Sequence, residues 1–65
     1  MTIDDIAQEI ARIRSIAKDD EAAHSATDSL YIDVLRDIAN GNPNPMALAM
    51  FALQAEDIDF QRWCA

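Results

Sequence analysis

Isoleucines at positions 3, 6, 10 and 13 fall three, four and three residues apart, and Ala17 follows four further on. Apolar residues at this spacing share one side of an α-helix, so the pattern predicts an amphipathic helix from Thr2 to Lys18 with a single apolar seam. Thr2 followed by Asp5 has the form of a capping box with Asp in place of the usual Glu, and Asp4 and Asp5 suit the positive end of the helix dipole. Arg12, Arg14 and Lys18 stand toward the opposite end, where cations are favoured. Isoleucine loses rotamer freedom in a helix, so this element depends on packing its seam rather than on intrinsic propensity. In parallel coiled coils, Ile at both seam positions favours three or four strands over two.

A second helical pattern runs from about Asp20 to Asn40, with Leu30, Tyr31, Val34, Leu35, Ile38 and Ala39 recurring on one side. Its end is marked by Asn40-Gly41, a left-handed stop, and by Pro43 just beyond. Two starts fit: Asp19 or Asp20 capping a long helix, or Ser25 capping a shorter one. Glu21-Ala22-Ala23 has good helix propensity and the early acids suit the dipole, which favours the long form.

Asn44-Pro45 opens a third helix, with Asn as the cap and Pro at the first helical position, where its missing N–H costs nothing. Met46 to Leu53 is then apolar around the whole circumference. A helix apolar on every side is buried on every side, and a chain of 65 residues cannot cover one so fully, so the block predicts a subunit interface. The tail from Asp57 to Ala65 holds Ile58, Phe60, Trp63 and Cys64 among acids and Arg62. It reads as a short helical turn capped by Asp57 or Asp59, with Trp63 as a lid on the core.

The expected architecture is therefore all-α: one domain over residues 1–65, a small bundle of three main helices plus a short C-terminal helical turn, assembled as a dimer or higher homo-oligomer. The expected interface residues are Ile3, Ile6, Ile10, Ile13, Met46, Met50, Phe51 and Trp63. Length sharpens this expectation. A chain this short buries only about 60% of the surface its unfolded form exposes, and a core of that size rarely supplies more than ~3–5 kcal/mol without a staple. One cysteine cannot form an intrachain disulfide, and one Cys with one His cannot complete a structural zinc site. Oligomerisation is the remaining staple.

Twelve acids against five bases give a net charge of −7, which repels phosphate backbones and anionic membranes and disfavours direct nucleic-acid binding. The sequence has neither a signal-peptide pattern nor an apolar stretch approaching the ~20 residues that span a bilayer. With its lone thiol, the chain reads as a soluble cytoplasmic protein.

Candidate chemistry gathers at the only histidine. On a helix Asp20, His24, Asp28 and Tyr31 share a face, with Glu21 and Ser25 beside them. Three readings stay open. The acids can simply flank a surface imidazole. Alternatively His24, Ser25, Asp28 and Tyr31 form a binding site, since an imidazole, a hydroxyl, a carboxylate and a phenol offer donors and acceptors of adjustable sense. Glu21 and His24 also have the i, i+3 spacing by which di-iron bundles present a carboxylate and an imidazole, with Glu9 as a further carboxylate. Cys64 reads as a small apolar filler rather than a nucleophile, because nothing local lowers its pKa. Met46 and Met50 read as gap-filling packing residues rather than a promiscuous binding surface. No cofactor is implied.

The block Asp20-Glu21-Ala22-Ala23-His24-Ser25, followed by Asp28-Ser29-Leu30-Tyr31 and Val34 to Ala39, and the ending Ile58-Asp59-Phe60-Gln61-Arg62-Trp63-Cys64, resemble a family of short proteins encoded by phages, prophages and bacterial genomes. The likeness covers about the last two thirds of the chain. In that family an acid stands where this chain has Thr27, so a role needing that carboxylate does not carry over. The resemblance implies an accessory protein of phage type, a class that includes host-directed inhibitors and sponges for signalling nucleotides. The leading expectation is a non-enzymatic modulator or inhibitor of a host protein, such as a defence protein. The alternatives are a metal-binding helical oligomer using Glu21 and His24, and a sponge for a small anionic ligand that pools Arg12, Arg14, Arg36 or Arg62 across subunits.

Overall fold

The computed structural model describes residues 1–60, which form α1 (Ile3–Ser15), α2 (Asp20–Ala39), α3 (Pro45–Ala52) and a 3-10 turn, Leu53–Asp57, running on from α3. Every pair among the three helices is in contact, and the 3-10 turn packs on α1 and α3. The described residues hold no strand. The protein is thus a small all-α bundle, as the periodicity predicts. None of the described helices is long and apolar enough to cross a membrane.

Local chemistry places the helix ends. Thr2 is extended and accepts from the Asp5 N–H at 3.2 Å, while the Asp5 carboxylate accepts from the Thr2 N–H at 2.8 Å. These two reciprocal bonds satisfy donors that a helix start otherwise leaves orphaned. They also stabilise the ionised carboxylate, so the pKa of Asp5 lies below the ordinary aspartate value, chiefly through the Thr2 backbone bond. Asp19 caps α2 by accepting from the Ala22 N–H at 3.1 Å, which makes the long form of that helix the observed one. At its far end Gly41 takes φ +92°, with Gly41 N–H bonded to Ile38 C=O at 3.0 Å and Asn42 N–H to Asp37 C=O at 3.2 Å. That pair of bonds is a Schellman stop.

Pro45 stands at the first turn of α3 as expected, but the Asn44 side chain makes no capping bond. The organiser of this junction is Asn42. Its side-chain oxygen accepts from the Asn44 N–H at 2.8 Å, and its amide donates to Asp37 at 2.7 Å and to the Met1 carbonyl at 3.3 Å. The Met1 ammonium lies 3.4 Å from the same Asp37 carboxylate, so this polar knot ties the chain's first residue to the α2–α3 loop.

The core is Ile6, Ile10 and Ile13 of α1, Ala23, Leu30 and Val34 of α2, Leu48 and Ala52 of α3, then Ala55, Ile58 and Phe60. Ile6 and Ile13 are fully buried within one chain. This corrects the expected use of the seam: Ile6, Ile10 and Ile13 are spent on α2 and α3 of their own molecule and offer nothing to another copy. The physical reason is that an apolar seam takes the nearest complementary surface, and two more helices of the same chain supply it. Thr27 is the buried polar residue of α2, satisfied by donating to the Ala23 carbonyl at 2.9 Å.

A 3-10 turn stands at Leu53–Asp57, where the last turn of α3 tightens into i→i+3 bonding, and the turn expected between Asp57 and Ala65 falls largely outside the described residues. Ile58 is extended, and Ile58 and Phe60 are buried while Asp59 between them is exposed. This period-two alternation is that of an extended segment laid on a core. The lid assigned to Trp63 and the filler role of Cys64 lie outside the described residues.

Candidate functional site

At 3.6 residues per turn, His24, Asp28, Tyr31 and Leu35 occupy one strip along α2, beside the buried line of Ala23, Thr27, Leu30 and Val34. The strip changes character along its length. At its N-terminal end the His24 imidazole is mostly covered, with 17% of its side chain exposed, and lies tilted against the Phe60 ring at a centroid distance of 6.4 Å. Its Nε2 stands 3.6 Å from the exposed Asp28 carboxylate, within ion-pair range when the ring is protonated and too long for a hydrogen bond. Ser25 is exposed and, one residue on, is turned about 100° from His24 around the helix. Of the four proposed binding residues, His24, Asp28 and Tyr31 therefore share a strip, and Ser25 sits at its margin.

Toward the C-terminal end the strip becomes one wall of an apolar groove between α2 and α3. Tyr31, Val34, Leu35 and Ile38 line one side, and Ala49, Ala52 and Leu53 the other, around a volume of about 290 Å³. The small side chains of Ala49 and Ala52 are what leave it open. Leu35 is 64% exposed and Leu53 54%. Met46 and Met50, at 76% and 64%, continue the Leu53 stripe along α3. No residue of α3 carries a charge, so on a chain of net charge −7 this face is apolar and uncharged where most other exposed positions are acidic or polar.

The expected interface residues thus separate into distinct groups. Met46 and Met50 are on the surface. Phe51 is partly buried against the core, and Ile3, 37% exposed, lines a separate hollow of about 400 Å³ with Met1, Asn42, Pro43 and Leu48. Leu35 and Leu53, the most exposed walls of the groove, belong to the predicted helical patterns but not to the expected interface residues. The signal was present: Tyr31, Leu35 and Ile38 repeat at steps of four and three, as do Met46, Met50 and Leu53.

For metal, Glu21 is exposed on α2, and Glu9 is engaged by Arg12, whose Nε donates to it at 2.9 Å and whose terminal nitrogen contacts the same oxygen. Among the described residues no three His, Cys, Asp or Glu side chains are grouped to hold a metal ion. The same Glu9 contact occupies one of the arginines that an anion sponge would draw upon. What the α2 strip offers chemically is a contact surface: an apolar trough with an ionisable polar end. No family model, curated protein or solved structure matches the chain.

Proposed function

We propose that this chain is a non-enzymatic interaction protein that works by docking other polypeptides along the α2 strip and the α2–α3 groove. One observation carries the reading: Leu35 and Leu53, each more than half exposed, line a preformed apolar trough, and the exposed Met46 and Met50 lie on the same stripe of α3 as Leu53. Contiguous exposed apolar surface of this kind, rimmed by polar residues, marks protein contacts. His24 and Asp28 continue the strip beyond the Tyr31 end of the groove, and the Asp28 acid suits a basic patch on a partner. The resemblance to short phage and bacterial proteins adds context, a cytoplasmic modulator or inhibitor of a host protein. A small acidic chain fits that role because it can seek a basic surface without competing for nucleic acid itself.

Immobilised chain exposed to bacterial host lysate tests the reading. The expected result is a retained protein that Leu35→Glu and Asp28→Lys variants with wild-type circular dichroism fail to retain. Retention of nothing, or retention indifferent to both substitutions, overturns it.

A further inference from the structure

We infer that the α2–α3 groove is covered in solution by a second copy of this chain, packed about a twofold axis through Met46, Met50 and Leu53. The inference rests on the reading of this face as a docking surface and names its first occupant.

Charge is the first argument. Two chains each carrying −7 repel wherever their acidic faces meet, and Asp28, Asp33, Glu56 and Asp57 are all exposed on α2 and the 3-10 turn. The uncharged α3 is where two such molecules can approach without placing like charges opposite one another. Shape is the second. A twofold contact uses the same patch on both partners, so the patch must be complementary to itself. This one has both halves of such a fit: the exposed side chains of Met46 and Met50, and beside them on α3 a groove walled by Ala49 and Ala52. The methionines of each copy can fill the groove of the other, and unbranched methionine adapts to such a fit.

Area is the third argument. A standard interface buries about 800 Å² per partner, of which roughly 65% is apolar in homodimers, or about 500 Å². Leu35, Met46, Met50 and Leu53 at more than half exposure each present on the order of 100 Å², and Tyr31, Ile38 and Ala49 contribute the remainder from partial exposure. The apolar supply therefore matches what a dimer consumes. Small chains with cores of this size also commonly gain their stability from such association.

Sedimentation of the purified chain across about 1–100 µM, a range that spans micromolar affinity, is the test. The expected result is a concentration-dependent rise from the 7.2 kDa of one chain toward twice that mass. Met50→Glu and Leu53→Glu, both at exposed positions, are expected to weaken association at least about tenfold while circular dichroism reports an unchanged helical fold. Dimers that persist undiminished in both variants overturn the assignment of this face. A wild type that stays at 7.2 kDa throughout overturns self-association. If that monomer still retains a lysate protein in a Leu35-dependent way, the interaction reading stands without the dimer, and if it retains none, both fall.

Discussion

Helices α1 and α3 are both rich in apolar residues, yet they end in opposite situations. In α1 the apolar positions form a narrow seam, Ile6, Ile10 and Ile13, and all three are covered by the chain's own α2 and α3. In α3 the apolar residues go all the way round, and the molecule covers Leu48 and Ala52 while leaving Met46 and Met50 in solvent. A helix in a three-helix bundle has neighbours on about half its circumference. A seam needs no more than that, whereas an apolar cylinder always has a face left over. The seam therefore stabilises the monomer, and the leftover face is the one we propose for contact with other molecules.

The largest expected effect separates the two helices by truncation. Ile6→Ala or Ile13→Ala removes a fully buried side chain and is expected to cost about 2–5 kcal/mol. A loss of that size rivals the whole stability of a small domain, so urea melts of these variants should show a chain largely unfolded at low denaturant. Met46→Ala removes as large a side chain from a 76% exposed position and should change monomer stability by no more than about 0.5 kcal/mol in the same melts, recorded at high dilution. Equal losses in the two helices would break the comparison.

A middle-sized effect concerns how each helix starts. Because Asn42 fixes the α2–α3 loop while the Asn44 side chain makes no capping bond, Asn42→Ala should cost about 1–2 kcal/mol through its three hydrogen bonds. Asn44→Ala should cost a few tenths. Thermal melts that reverse this order would make Asn44, and not Asn42, the residue that fixes this junction.

The smallest effect is the pH dependence of the α1 cap. The Asp5 carboxyl is held below its ordinary value by the Thr2 bonds. Its stabilisation is therefore fully present above the ordinary aspartate range and is lost as pH falls through the lowered folded value. The stability gap between wild type and Asp5→Asn should accordingly narrow on acidification. Following the Asp5 carboxyl by NMR gives the independent check, a titration displaced toward lower pH than a free aspartate.

Much of the fold was legible because it rests on interactions between residues few positions apart. The Thr2–Asp5 capping box, the Asp19 cap, the Gly41 stop and the placement of Pro45 each depend on a handful of neighbours, and each is found where the residues predict. The strip of His24, Asp28 and Tyr31 follows equally from helical spacing. Sequence also determined that this chain has more apolar helix surface than three helices can hide.

Which part of that surface is hidden was decided by tertiary structure. The seam of α1 could have faced another molecule, and it faces inward because α2 and α3 fold back within reach of it. The groove beside Leu35 and Leu53 exists because α3 folds back along α2 with alanines on its wall. The Asn42–Asp37–Met1 knot joins positions 41 residues apart. No spacing rule reaches so far, since the pairing energy of apolar faces depends on which faces meet, and that is a property of the packed molecule.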